Sequence, residues 1–150
     1  KGFSAEKLLS LSEESSLQLN EKYSPEKSTE IIELVKERLN TFQDLGRELA
    51  VFLGQPKEYD LAVVEKIGRE TAFDILNFCK LKESIMSNPK VLKEELMAFG
   101  SKNEISFGNI MKTLRLCLVG NLSGPDLFKI IEIIGPEEAL HRIESLTNKI

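Results

Sequence analysis

The chain has 150 residues, 41% hydrophobic and 29% charged, enough for one compact domain or two small subdomains around a core. A net charge of −4 argues against non-specific attraction to phosphate and leaves only a local basic patch as a route to a polyanion. No apolar run approaches the ~20 residues of a membrane span, and no basic segment followed by an apolar one marks a signal peptide.

The periodicity is helical nearly throughout. One or two short helices are expected after Ser4 and through "LSEESSLQL", until "NEKYSP" breaks the pattern. Ser24 then offers an N-cap with Pro25 at the first helical position. One long amphipathic helix is expected from there to about Leu53, ended by "GQP". On a helical wheel Ile31, Val35, Phe42, Leu45 and Leu49 share one face, and Arg38 stands in the middle of it. A guanidinium there requires either a hidden carboxylate or a reason to be shown to something outside, because burying it unpaired costs several kcal/mol.

Asp60 is placed to cap a short turn, "LAVVEKI", and after Gly68 a helix is expected over Thr71–Lys82 with Phe73, Leu76 and Phe78 as core candidates. "SNPKVLKEELMAFG" reads as a unit with Asn88 as cap, Pro89 as first residue and Gly100 as stop. Ser106 opens the next helix, whose face carries Phe107, Ile110, Met111, Leu114 and Leu118, with Gly120 beyond its end. "SGPDLFKIIEIIGPEEALHRIESL" holds two helices joined at Gly135-Pro136, where Glu137 and Glu138 suit the dipole of the second. The expectation is an all-α bundle of about seven helices in two subdomains, 1–60 and 61–150. Phe42, Leu49, Phe73, Leu114, Leu118, Ile130 and Ile134 are expected to be buried.

A catalytic inventory is nearly empty. The one histidine, His141, lies on a helix without the surroundings of a metal site, and no phosphate-binding glycine loop or nucleophile elbow is present. Cys79 and Cys117 sit in apolar helical stretches as small hydrophobes, so they are expected to be reduced and unpaired in a reducing compartment. The oddities that remain are Arg38, Arg115 within "TLRLCLVG", and the loop "NLSGPDL". For each arginine the structural alternative is a snorkelling side chain or an intramolecular ion pair.

"LRLCLVGNLSGPDLFKIIEIIGPEEALHRIESL" resembles the C-terminal end of bacterial-type glutamyl-tRNA synthetases. That family has an Arg, an apolar run ending in Gly, a short loop with Pro, an apolar helix, a further Gly and an Arg followed by an aliphatic residue. Arg115, Gly120, Pro125, Gly135 and "HRIE" stand at matching intervals. Upstream, "KERLNTFQDL" resembles the family's "ERxxTLxE" helix and "FLGQPKEYD" its "FF…YD" segment, so the resemblance runs from about Ser28 to Ile150.

The resemblance implies an all-α anticodon-binding region in both subdomains, the C-terminal part of a class I aminoacyl-tRNA synthetase. Its partners would be glutamate tRNA and the catalytic domain of the same polypeptide, with no DNA and no membrane. The class I signatures "HIGH" and "KMSKS" are absent from this chain, and its opening at Lys1 rather than Met fits a piece of a longer one. It would therefore bind without catalysing, with no cofactor of its own; ATP and Mg²⁺ belong to the full-length ligase. The implied location is the bacterial cytoplasm, with an organelle as the alternative.

By the same resemblance, Arg38 matches the arginine that reads the third anticodon base. Arg115 lies against the anticodon beside the loop that carries Gly124, Pro125 and Leu127, and the two arginines are expected to line one positive cleft. Unstacked loop bases offer edges and π faces that a planar guanidinium can hydrogen-bond or stack on. The chain departs from the family at Val119, where relatives often have Thr, and at Gly124, where some carry a polar residue. Arg at position 38, rather than Gln or Gly, resembles members that charge only glutamate tRNA. The competing reading, from a different class, is an all-α protein-interaction module whose leucine-rich faces dock partner helices.

Overall fold

The computed structural model describes residues 13–38 and 43–150. Among them are nine α-helices: α1 (Glu13–Lys22), α2 (Pro25–Lys36), α3 (Gln43–Leu53), α4 (Ala62–Ile67), α5 (Arg69–Lys80), α6 (Pro89–Asn103), α7 (Phe107–Val119), α8 (Leu127–Ile134) and α9 (Pro136–Lys149). A 3₁₀ turn, Glu83–Ile85, links α5 to α6, and no strand occurs among the described residues. The class is all-α as expected, with two more helices than the expected seven or so. The described residues divide into two compact units between Gln55 and Pro56.

The first unit packs α1, α2 and α3 on one another. Ser24 caps α2 as expected, its Oγ accepting the Lys27 N–H at 3.2 Å ahead of Pro25. Tyr23, just past α1, donates its hydroxyl to the Phe52 carbonyl at 2.6 Å and so satisfies an acceptor in the last turn of α3. Leu19, Ile31, Ile32, Val35, Leu49 and Phe52 are fully buried. The long helix expected over 25–53 is corrected: α2 ends at Lys36, and α2 and α3 pack against each other. One continuous helix could not do that, so the wheel that ran through both was following two faces. The expected helix start after Ser4 and the expected burial of Phe42 lie outside the described residues.

In the second unit α7 is central, packing against α4, α5, α6, α8 and α9. A helix with neighbours on so many sides buries more than one stripe, and Ile110, Thr113, Leu114, Leu116, Cys117 and Leu118 are all buried. Asn88 and Ser106 cap α6 and α7, accepting the N–H groups of Val91 at 3.3 Å and Asn109 at 3.1 Å. Gly135 joins α8 to α9 at φ 89°, with Pro136 opening the last helix. Ile130 is buried as expected, whereas Ile134 is only half-buried.

Three further expectations are corrected here. Phe73 is 41% exposed, because the buried face of α5 is Ala72, Ile75, Leu76 and Cys79, and Phe73 lies about 100° round the helix from its centre. Phe78, further along α5, is half-buried and stacks on Phe99 of α6 at 4.2 Å between ring centroids. Gly100 does not stop α6, which runs on to Asn103; a Cβ there would meet the Ile105 carbonyl at 2.7 Å and Ile110 Cδ1 at 2.9 Å. Glycine at 100 thus lets the entry to α7 lie on α6. Asp60 caps nothing through its side chain: Leu61 is the N-cap of α4, and the Asp60 carbonyl accepts the Val63 N–H at 3.1 Å.

Candidate functional site

The second unit gathers most of the candidate residues at the C-terminal end of α7. Gly120 closes that helix at φ 93°, its N–H donating to the Leu116 carbonyl at 2.8 Å. The segment from Pro56 to Asp60 lies against it: a Cβ on Gly120 would stand 2.5 Å from the Glu58 carbonyl oxygen and 3.0 Å from Pro56 Cβ. The Gly120 carbonyl accepts the Asp60 N–H at 2.8 Å, so both the backbone donor and the backbone acceptor of this residue are in use.

Beyond Gly120 the chain turns on an Asn121 side chain that accepts the Ser123 N–H at 2.8 Å. Gly124, at φ 129°, then brings the loop back over α7. Arg115 reaches up from the helix and donates from Nη1 to the Pro125 carbonyl at 2.8 Å. A Cβ on Gly124 would lie 3.3 Å from that Nη1 and 3.4 Å from Val119 Cγ2. Asp126 ends the loop as N-cap of α8, its Oδ2 accepting the Lys129 N–H at 3.1 Å.

Arg115, Gly124, Pro125 and Leu127 are therefore brought together, but by different means. Pro125 and Leu127 are buried, Gly124 supplies backbone freedom, and Arg115 is half-buried with one nitrogen engaged in holding the loop. The side chains this loop exposes are those of Asn121, Leu122 and Ser123 at its tip and of Asp126 at its end. Val119, where relatives often have a hydroxyl, packs under Gly124.

Arg142, in the sequence only a member of "HRIE", has a further role in the structure. It is fully buried, donating from Nε to Glu138 Oε2 at 2.7 Å and from Nη1 to the Leu118 carbonyl at 2.9 Å, while Nη2 has no partner. A cation on a last-turn carbonyl of α7 satisfies an otherwise orphaned acceptor and opposes the negative end of the helix dipole. Burial pushes the Tyr59 phenol up, reinforced by the Cys117 thiol and opposed by Arg142. Cys79 and Cys117 are buried free thiols; desolvation holds Cys79 up at about 12 and Cys117 well above its ordinary value. Among the described residues no group of three or more His, Cys, Asp or Glu could hold a metal, and no helix is long and apolar enough to cross a membrane.

Arg38 belongs to the first unit and is described within it. It is not part of a helical stripe: it stands two residues beyond α2, its N–H donating to the Val35 carbonyl at 2.9 Å, and the residue as a whole is exposed. Its Nε–H donates to Glu48 Oε1 of α3 at 2.5 Å. The carboxylate that the sequence puzzle called for is present, at the edge of the unit rather than in its core, with side-chain exposures of 34% for Arg38 and 14% for Glu48.

Residues 5–147 match the family model described as an anticodon binding domain. The chain belongs to that family. Its relatives include a glutamate–tRNA ligase of a Nitratiruptor species, 37% identical over 94% of this chain and 30% of the relative. Another, glutamate–tRNA ligase 1 of Wolinella succinogenes, is 36% identical over 73% of this chain and 24% of the relative. Among solved structures, a glutamate tRNA ligase from Elizabethkingia meningosepticum in complex with its amino acid matches at a TM-score of 0.77 and 30% identity. That match covers 97% of this chain and 29% of the other. The glutamate-tRNA synthetase of Elizabethkingia anophelis matches at 0.75 and 28% identity over 98% of this chain and 29% of the other. The chain thus spans less than a third of the length of these relatives.

Proposed function

We propose that this chain is the portion of a bacterial glutamate–tRNA ligase that holds the anticodon of glutamate tRNA. A catalytic domain of the same polypeptide would join glutamate to the other end of the tRNA in the cytoplasm. The observation that carries the reading is the match of nearly the whole chain to one part of such ligases, in sequence and in backbone course. Features within each unit, taken separately, support it. An exposed Arg38 and a loop tip of Asn121, Leu122 and Ser123, drawn in by Arg115, are groups that unstacked bases can meet by hydrogen bonding and stacking.

In this reading Arg38 reads the third anticodon base and Arg115 acts mainly by shaping the loop that lies against the anticodon. Gly124, Pro125 and Leu127 contribute backbone course and packing. The chain binds and does not itself catalyse.

The test is a titration of the 150-residue chain with glutamate tRNA and with the same tRNA carrying an exchanged anticodon. The expected result is saturable binding that weakens as salt rises, by a slope of about 0.7 in log K per phosphate neutralised on single-stranded loop, and weaker binding of the exchanged tRNA. Equal affinity for both tRNAs would contradict the reading. So would an absence of saturable binding.

A further inference from the structure

An exposed arginine has four rotatable side-chain bonds, and ordering them opposes any contact it makes. Arg38 is tied at both ends of that chain. Its backbone is held by the turn bond from its N–H to the Val35 carbonyl at 2.9 Å, and its Nε by Glu48 at 2.5 Å. Glu48 is itself firmly placed, because the next residue, Leu49, and the residue one turn on, Phe52, are both fully buried. A carboxylate bound at Nε fixes the plane of the guanidinium and therefore the direction in which its two Nη groups lie.

We propose that Glu48 is a positioning residue that presets the Arg38 guanidinium for the third anticodon base. This rests on the reading of Arg38 given above. Charge alone argues against an acidic residue at a tRNA-binding surface, since it repels phosphate. Two explanations for Glu48 therefore make opposite predictions. If the pair is only a surface ion pair, removing the carboxylate leaves tRNA binding unchanged or strengthens it equally for every anticodon. If Glu48 orients Arg38, removing it lowers the discrimination between third bases, whatever happens to overall affinity.

The experiment compares Glu48→Met, Glu48→Gln, Arg38→Gln and the double variant Arg38→Gln/Glu48→Met with the parent chain. Each is titrated with glutamate tRNA and with a copy altered only at the third anticodon base. Met keeps the stem and the helix preference while removing the acceptor; Gln removes the charge but still offers an oxygen to Nε–H. Glu48→Met is expected to lower the ratio of the two affinities about threefold or more, as coupled polar neighbours do. Glu48→Gln retains most of the ratio, and the Met substitution changes nothing further once Arg38 is Gln. Urea unfolding of each variant checks that the first unit remains folded.

A wild-type ratio in Glu48→Met, alongside a lowered one in Arg38→Gln, would overturn the role of Glu48 and leave Arg38 as reader. An unchanged ratio in Arg38→Gln would overturn Arg38 as reader and the role of Glu48 with it. Loss of discrimination in Glu48→Gln equal to that in Glu48→Met would mean that charge, not orientation, is what Glu48 supplies.

Discussion

Arg142 shows how a single side chain can decide the geometry of a region it does not enter. It spends a buried charge on the Leu118 carbonyl, in the turn of α7 that leads into Gly120 and the candidate loop. Its counter-charge, Glu138, lies one turn back on its own helix and keeps 27% of its side chain in solvent. Removing the arginine therefore strands little charge, but it leaves the Leu118 carbonyl without its donor. Arg142→Met, which fills much the same space, is expected to cost about 1–3 kcal/mol, the penalty for an unsatisfied buried acceptor. Urea unfolding measures it; a variant as stable as the parent would show that the carbonyl finds another partner. This residue was not legible in the sequence. In "HRIE" it looks like an exposed helical arginine, and only an acceptor 24 positions upstream gives it a reason to be inside.

At the scale of elements, the caps were the most legible part of the fold because their causes are local. Ser24 and Asn88 before prolines, Ser106, and glycine at 120 and 135 each act within a few residues of where they stand. The errors arose where a tertiary neighbour decides. Gly100 reads as a stop but lies within α6, whereas Gly120 does end α7; what they share is a backbone pressed against the missing Cβ. Gly120→Ala combines a left-handed φ of 93° with a clash at the Glu58 carbonyl and is expected to cost about 2–4 kcal/mol. Gly108→Ala, within the first turn of α7 and facing only Ser106 Oγ at 3.9 Å, is expected to gain about 0.5 kcal/mol. Opposite signs in paired urea unfolding curves would bear out this account. A neutral Gly120→Ala would mean that the strap from Pro56 to Asp60 yields, and that it does not hold the end of α7.

For the molecule as a whole, helical periodicity and punctuation carry the class, while the candidate site is suggested only by resemblance. The wheel found Arg38 odd for a reason that does not hold, because the stripe it seemed to interrupt belongs to two helices. The oddity still had a cause, the partly buried Glu48 on α3. Arg115 and its loop were correctly grouped, since "TLRLCLVGNLSGPDL" places them within one turn-and-return of chain. Which of them meet solvent depended on packing: Pro125 and Leu127 went inside, and Asn121, Leu122 and Ser123 stayed out.

An overall charge of −4 is compatible with an RNA partner only if attraction is confined to the anticodon and does not extend along the whole tRNA. The measurement that tests this most directly is chemical probing of glutamate tRNA, base by base, with and without the chain. Protection is expected at the anticodon loop, the third anticodon base included, and the acceptor stem should react as in free tRNA. Protection spread evenly over the backbone, or centred on the acceptor stem, would contradict the account.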